Sequence, residues 1–153
     1  MSLIAPILPP ANVIAHLNAS SKKRVFEEAA LLFKSQPGLD QDVVFEKLFA
    51  RERLGSTGLG FGVAVPHSRI EGLTEAAGAF LRLVEPIPFD AFDDLPVKLI
   101  FVLLVPEQAN ETHLQILAEL AQMFSNAEFR ERLLAADDAE ALHALLTHSL
   151  PNP

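Results

Sequence analysis

Apolar residues recur at helical spacing in two stretches near the start of the chain. Ser20 can cap a helix from about Ser21 to Lys34, which the turn residues Pro37-Gly38 end. Asp40 can cap a second helix from about Gln41 to Arg53. The spacing predicts that one face of each helix is buried, through Val25, Phe26, Ala29, Ala30, Leu32, Phe33, Val44, Phe45, Leu48 and Phe49.

Three apolar runs in the middle of the chain predict strands. The run GFGVAVP, Gly60 to Pro66, is short and β-branched and ends at a proline, and AGAFLRLVE follows at Ala77 to Glu85. The run VKLIFVLLVP, Val97 to Pro106, is almost continuously apolar, which is typical of a central strand covered on both faces. Because no helix separates one strand from the next, we expect a mixed sheet rather than a purely parallel one.

Helical periodicity returns after the third strand. Asn110 can cap a helix, a further helical segment lies around Glu128 to Leu134, and Asp137 can cap the last helix. Helices thus flank a strand-rich middle. The predicted fold class is α/β, with a mixed β-sheet sandwiched between helix layers in a single domain over residues 1–153. Residues 1–10 and 149–153 are expected to be loosely ordered ends.

Composition and charge narrow the possible functions. The chain of 153 residues is long enough for one domain with a real core, and its net charge of −8 disfavours nucleic acid and anionic membranes as partners. The absence of Cys excludes disulfides, thiolate catalysis and Cys-type zinc sites. No apolar run reaches the roughly 18 residues of a membrane span, and the start MSLIAPILPP lacks the positive charge of a signal peptide. We therefore expect a cytoplasmic protein.

The stretch ERLGSTGLGFGVAVPHSRIEG combines glycines, hydroxyls and a histidine that follows a proline. Pro66 restricts its neighbours, so His67 is expected as the first free residue past a strand end, where α/β sheets usually bind ligands. Ser56 and Thr57 can donate to an anion, and Arg51 can bind phosphate oxygens in a bidentate way. The pattern lacks the Lys of a GxxxxGK[ST] loop, so it does not support nucleotide binding. A turn-rich connection with an exposed histidine remains the alternative.

His113 is the second candidate. It is predicted in the first turn of the Asn110-capped helix, whose positive end attracts anions, although an ordinary exposed histidine would fit the same pattern. A zinc site shared with His67 lacks an evident third ligand. The pair Asp93-Asp94 is expected to form a turn. The remaining histidines are expected to be solvated: His16, His143 and His148.

Two segments together resemble a known family. RERLGSTGLGFGVAVPH resembles the active-site signature of phosphotransferase-system EIIA domains of the fructose/mannitol type, with a basic helix end, a GSTG segment, a strand and the pair PH. THLQILAELAQMF resembles the second family motif, in which a histidine opens a helix after a long apolar strand. The resemblance covers nearly the whole chain. GSTGLG and the free-standing length are most similar to the nitrogen-related branch, EIIA-Ntr, and the family fold is a mixed sheet between helix layers.

The resemblance implies a role for each candidate residue. His67 would be phosphorylated on Nε2, and His113 would hydrogen-bond either the ring or the phosphoryl group. Arg51 would hold the phosphate, and Ser56 and Thr57 would line the pocket. Such a site needs no metal and no nucleotide cofactor.

The resemblance also implies partners, and the sequence departs from the family at two places near the site. Phe61 stands where a polar residue is expected between glycines, which suggests a partner-docking surface, and Ser68 and Arg69 replace a common Gly and alter the pocket rim. The implied donor is an HPr-like phosphocarrier. Three hypotheses for the function stay open. The protein is a phosphotransferase component that mainly regulates targets such as sensor kinases or potassium-transport proteins, or a sugar-specific component that passes phosphate to the cysteine of a separate EIIB protein. The third hypothesis is an interaction module with an unused histidine.

Overall fold

A mixed sheet of six strands forms the centre of the structure, a computed structural model that describes residues 3–34, 36–108 and 110–148. The strands are β1 (Val13–Leu17), β2 (Gly58–Gly60), β3 (Val63–Ala64), β4 (His67–Ile70), β5 (Ala77–Ile87) and β6 (Val97–Pro106). β5 and β6 pair antiparallel, β1 joins β5 in parallel, and β3 and β4 join the other side of β6 in parallel. β2 pairs antiparallel with β3 at the outer edge. The predicted mixed sheet is confirmed.

Five α-helices in the described ranges cover the sheet, and their starts follow side-chain caps. Asp40 and Asn110 cap the second and third helices as predicted. The first and last caps lie one residue later than predicted, since Ser21 accepts from Arg24 N and Asp138 accepts from Ala141 N. The helices are α1 (Lys22–Phe33), α2 (Gln41–Leu54), α3 (Glu111–Ser125), α4 (Ala127–Ala135) and α5 (Ala139–His148).

Two hydrophobic cores lie on opposite faces of the sheet. Phe26, Phe33 and Leu48 of α1 and α2 belong to one core, while Leu120 and Leu142 of α3 and α5 belong to the other. Because strand side chains alternate in direction, the continuous apolar run of β6 supplies both cores. It contributes Ile100, Val102 and Leu104 to the first and Leu99, Phe101 and Leu103 to the second.

Residues 3–10 are packed against the sheet where we expected a loosely ordered end, and residues 1 and 2 lie outside the described residues. Short 3-10 turns precede β1, and Ile4 and Leu8 are fully buried in the second core. The carbonyl of Leu8 lies 2.9 Å from Nε2 of His143 in α5, so this half-buried histidine is not simply solvated. The sequence pattern missed β1 because five residues interrupted by the polar His16 give a weak signal. The expectation for residues 149–153 lies outside the described residues.

The described helices also bear on the membrane question. None of them is long and apolar enough to cross a membrane. α1 and α3 instead present one apolar face to the sheet and one polar face to solvent, the ordinary pattern of a helix that packs on a sheet.

Candidate active site at a histidine pair

His67 lies within the edge of the sheet rather than beyond the end of a strand. β3 and β4 follow each other along β6 at one offset, since Val63 is paired with Leu99 and His67 with Leu103. Pro66 has no N–H to donate, yet its carbonyl still accepts from Leu103 N at 2.9 Å. β3 ends at Ala64, two residues before the predicted strand end, and Pro66 interrupts the hydrogen bonds without changing the register. His67 is therefore the first residue of β4 and not, as predicted, a free residue past a strand end.

The imidazole of His67 is held in one tautomer. Its Nδ1 lies 2.9 Å from the backbone carbonyl of Val65. Since a carbonyl oxygen can only accept, Nδ1 carries the proton and donates it to this bond. Nε2 is then the unprotonated and nucleophilic nitrogen of the neutral ring.

His113 is held in the opposite tautomer by the start of α3. The Asn110 side chain accepts from Thr112 N at 2.9 Å and from His113 N at 3.4 Å, and the Asn110 backbone N–H donates back to His113 Nδ1 at 3.0 Å. These reciprocal bonds form a capping box. A nitrogen that accepts a hydrogen bond carries no proton, so the neutral ring of His113 has its N–H on Nε2. His113 therefore offers one N–H donor at the positive end of α3.

Both histidines line a groove of about 590 Å³ between α2, α3 and the edge of the sheet. The charged side chains that line it beside the histidines are the cations Lys47, Arg51 and Arg69. The chain as a whole carries a net charge of −8, so the groove is a cationic site in an acidic protein. Such an arrangement attracts an anion.

The same groove has an exposed apolar wall. Leu54 at the end of α2 is 85% exposed, and Leu114 beside His113 is 65% exposed. Large apolar side chains this exposed, next to a polar centre, are typical of a surface that meets another macromolecule. The rest of the apolar wall consists of Ala50, Leu103, Val105 and Leu117.

The sequence offered no evident third ligand for a zinc ion shared by the two histidines. In the ranges that the structure describes, no three His, Asp or Glu side chains form a group that could hold a metal ion. The Nδ1 atoms of His67 and His113 are both engaged with backbone groups. The groups that this site offers to a ligand are its cations and N–H donors.

Arg51 lies in the last turn of α2, half-buried beside His67. One of its guanidinium nitrogens, Nη1, donates to the Gly55 carbonyl at 2.9 Å, which ties the helix end to the following loop. Arg51 and His67 also line a second groove, of about 400 Å³, together with Ser56 and Thr57. The structure thus brings the predicted arginine and both hydroxyl residues to the predicted histidine.

The hydroxyl protons of Ser56 and Thr57 are committed to protein acceptors. Ser56 Oγ donates to the Phe89 carbonyl at 2.6 Å, and Thr57 Oγ1 donates to Glu52 Oε1 at 2.7 Å. Thr57 is also buried. Both residues line the second groove, but their role as donors to phosphate stays a prediction.

Phe61 lies at the tip of the β2–β3 hairpin in a strained conformation. Gly60, Phe61 and Gly62 have φ values of 91°, 59° and 81°, and a bulky residue rarely adopts a positive φ. The Phe61 N–H donates to Asp93 Oδ2 at 2.8 Å, and the Arg130 guanidinium lies 4.3 Å from the centre of the phenyl ring. Phe61 is 59% exposed and lines neither groove. Its docking role stays a prediction and concerns a surface outside the two grooves.

The loop with Asp93 and Asp94 forms a turn, as predicted, and Asp93 has a defined structural role. Its carboxylate accepts from the backbone N–H groups of Phe61 and Leu95, at 2.8 Å and 3.1 Å. These two bonds favour the ionised form and hold the pKa of Asp93 below its usual value of 3.8. Asp93 thus ties the loop before β6 to the hairpin tip.

Several residues of the site were missed by the reasoning from sequence, although signals for some of them exist. Arg69 shares a strand face with His67 because the two are two positions apart, and Lys47 shares a helix face with Arg51 because they are four positions apart. Glu52 gives no such signal, because its contact with Thr57 depends on the path of the loop after α2. The cationic lining was therefore predictable in part.

Comparisons with known proteins extend these observations. The family described as "Phosphoenolpyruvate-dependent sugar phosphotransferase system, EIIA 2" matches residues 6–149. The nitrogen regulatory protein of Pseudomonas aeruginosa is 45% identical over 147 residues, which cover 95% of this chain and 96% of that protein. The nitrogen regulatory protein of Escherichia coli K12 is 40% identical over 140 residues, which cover 91% of this chain and 86% of that protein.

Solved structures agree with the family match. The crystal structure of nitrogen regulatory protein IIA-Ntr from Neisseria meningitidis has a TM-score of 0.91 and 52% identity, covering 95% of this chain and all (100%) of that chain. The Escherichia coli mannitol IIA structure has a TM-score of 0.75 at 21% identity, covering 90% of this chain and 97% of that one, which shows a shared fold. The chain therefore belongs to the EIIA 2 family of the phosphoenolpyruvate-dependent sugar phosphotransferase system.

Proposed function

We propose that this protein is a phosphoryl carrier of a nitrogen-related phosphotransferase system. It accepts a phosphoryl group on Nε2 of His67 from an HPr-like phosphohistidine protein. The observation that carries the proposal is the pair of complementary tautomers, in which His67 presents an unprotonated Nε2 and His113 an N–H donor. Nε2 of His67 can attack phosphorus, and the Nε2–H of His113 can donate to the transferred phosphoryl group.

The transfer step follows from these groups. The lone pair on His67 Nε2 attacks the phosphorus, the phosphorus–nitrogen bond of the donor breaks, and its electron pair returns to the donor imidazole. No proton has to leave His67 during the attack, because Nδ1–H stays bonded to the Val65 carbonyl. Arg51 and the N–H of His113 compensate the negative charge of the transferred group, as phosphoryl transfer requires.

The walls of the groove support a protein as the donor. Leu54 and Leu114 offer exposed apolar contacts beside the cations Lys47, Arg51 and Arg69. A partner that brings its own phosphohistidine must cover this wall to reach His67. Phe61 extends the proposed docking surface at the hairpin tip.

We assign a regulatory outcome to this phosphorylation. A phosphoryl group on His67 adds negative charge among three cations, which changes the surface that a target protein meets. Relatives that carry the name nitrogen regulatory protein support this outcome. Sensor kinases and potassium-transport proteins are the target classes that the family resemblance suggests.

The experiment is a phosphotransfer reconstitution with an HPr-like donor. We expect the protein to gain the mass of one phosphoryl group in an acid-labile form. His67→Ala should abolish the gain, while the control His16→Ala, which removes an exposed histidine on β1, should leave it intact. Normal labelling of His67→Ala would contradict the assignment, and no labelling of the unaltered protein by any such donor would favour an interaction module with an unused histidine.

A second candidate function follows from the family description, which names sugar phosphotransferase systems. In that function the protein passes phosphate to the cysteine of a separate EIIB protein. A chase of the phosphorylated protein with candidate EIIB proteins separates the two functions. Rapid, sugar-dependent loss of the label supports the second, and retention of the label supports the regulator.

A further inference from the structure

A buried carboxylate lies behind the His67 site. Glu52 is in the last turn of α2, and its side chain is only 4% exposed. Lys22 of α1 compensates the charge, with Nζ at 3.0 Å from Glu52 Oε2. A buried carboxylate is costly to desolvate, so its hydrogen-bond partners show what it holds in place.

Glu52 holds Thr57 through both of its carboxylate oxygens. Oε1 accepts from the Thr57 hydroxyl at 2.7 Å, and Oε2 accepts from the Thr57 backbone N–H at 3.2 Å. Hydrogen bonds to an ionised acceptor are about twice as strong as neutral ones. The Glu52 carboxylate therefore holds the side chain and the backbone of Thr57 together.

Thr57 in turn holds the residue that orients His67. The Thr57 carbonyl accepts from Val65 N at 3.0 Å, and the Val65 carbonyl accepts from His67 Nδ1 at 2.9 Å. Thus a continuous series of hydrogen bonds runs from the Glu52 carboxylate through Thr57 and Val65 to the imidazole. Each bond is made by residues of the β2–β3 hairpin or of the two segments that flank it.

We propose that Glu52 is a positioning residue, which fixes the Thr57–Val65 bond and thereby keeps the proton of His67 on Nδ1. Its consequence for phosphoryl transfer rests on the function proposed above, but its effect on the tautomer does not. Without Glu52 the Val65 carbonyl loses its fixed orientation, and His67 also populates the tautomer with the proton on Nε2. That form cannot attack phosphorus, so the transfer rate falls with the population of the Nδ1–H form.

The experiment measures the tautomer of His67 directly, from the ring nitrogen shifts in two-dimensional NMR spectra of the ¹⁵N-labelled full chain. In Glu52→Ala we expect a clear shift of the population toward Nε2–H, and a transfer rate lower by about five- to tenfold, as loss of a charged hydrogen bond predicts. Glu52→Gln should restore both, because the amide oxygen can accept from Thr57 N while the amide N–H₂ donates to a hydroxyl that turns around. A purely structural role would lower the melting temperature of Glu52→Ala without changing the tautomer.

Two further variants make the test decisive. Asp90→Asn removes the other carboxylate on Lys22, at 3.2 Å, without touching Thr57, so the tautomer should stay as in the unaltered protein. Thr57→Val removes the 2.7 Å bond but keeps the buried charge, and should shift the tautomer in the same direction as Glu52→Ala. It serves in place of Glu52→Ala if that variant fails to fold. A folded Glu52→Ala or Thr57→Val with an unchanged His67 tautomer would overturn the proposal, whether or not the unaltered protein accepts phosphate.

Discussion

At the scale of single residues, the sequence indicated the main groups of the site but not the contacts that fix their protonation. His67, His113 and Arg51 were chosen by residue type and spacing, and the structure gathers all three around one groove. His67 was expected to react through Nε2, but the sequence could not indicate which carbonyl fixes this tautomer, nor that a helix cap fixes the opposite tautomer of His113. The hydrogen bond from the Ser56 hydroxyl to the Phe89 carbonyl could not be predicted either, because the two residues are 33 positions apart in the sequence.

Arg51 gives the prediction that belongs to this scale. Arg51→Ala should slow phosphoryl transfer by about tenfold to hundredfold, the effect of losing one to two strong hydrogen bonds to a charged group in the transition state. Single-turnover kinetics with the HPr-like donor measure it.

The control is Arg53→Ala in the same helix turn, where the guanidinium stacks on Phe49 at 5.2 Å instead of facing the groove. We expect its transfer rate to stay within about twofold of the unaltered protein, since only contacts made in the transition state change the rate. Equal slowing of both variants would mean that general charge, rather than the position of Arg51, attracts the donor.

At the scale of elements, the long strands and the helices were predictable, and the short strands around the site were not. β6 was predicted with its observed bounds because an almost continuously apolar run of ten residues leaves little ambiguity. β4 has four residues and begins directly after Pro66, so neither length nor alternation indicates it. The Gly60 to Pro66 run contains the tip of the β2–β3 hairpin instead of one strand, and this tip depends on the positive φ values at Gly60 and Gly62, which the sequence permits but does not require.

The hairpin tip predicts the effect of replacing Phe61. Phe61→Asn should leave the free energy of unfolding within about 1 kcal/mol, because Asn tolerates the positive φ and this gain offsets the lost contact with Arg130. The donor concentration for half-maximal transfer should rise several-fold, while the maximal rate stays the same.

The matched control for this variant is Leu31→Gln, which alters an exposed apolar residue of α1 that packs on the opposite face of the sheet. Its transfer kinetics should match those of the unaltered protein. If Phe61→Asn leaves the half-maximal concentration unchanged, Phe61 has no part in docking.

The same hairpin predicts a pH dependence. Asp93 has a lowered pKa in the folded state, so its contribution to stability is complete above the unfolded value near 3.8 and is lost as the pH falls through the lower folded value. Urea unfolding should therefore show that Asp93→Asn is less stable than the unaltered protein at pH 7, and that the difference shrinks below about pH 4. The matched control is Asp94→Asn, which alters the neighbouring carboxylate that accepts neither of the two bonds, from Phe61 N and Leu95 N, and it should leave this pH dependence in place. A constant difference across this range would refute the role of the carboxylate.

At the scale of the whole molecule, composition and element order were enough to predict an α/β fold with helices on both faces of a mixed sheet. They could not predict the hydrogen bonds that join β1 and α4 to β5 of the sheet. Arg82 of β5 is buried and donates to the carbonyls of Ala15 in β1 and of Leu133 and Ala136 at the end of α4. A charged residue in an apolar strand gives no indication in the sequence of which distant carbonyls it will meet.

Arg82 supplies the prediction for this scale. Arg82→Met should lower the free energy of unfolding by about 3 kcal/mol, because it leaves buried carbonyls of β1 and α4 without a donor. Denaturant unfolding measures the change. Arg24→Met removes an arginine that pairs with Glu28 at the surface, and should cost less than about 1 kcal/mol. Similar losses for the two variants would show that the buried bonds add nothing beyond a surface ion pair.

The parallel pairing of β1 with β5 has a consequence for synthesis. Val13 is paired with Phe80, so β1 has no strand partner until 67 further residues have been made. At about 5–20 residues per second, this interval lasts roughly 3 to 13 s on the ribosome. During that time an apolar strand has to be kept from pairing with other chains. Slower translation between residues 17 and 80 should therefore increase aggregation of newly made chains, and a chaperone that binds the first 20 residues should counteract it.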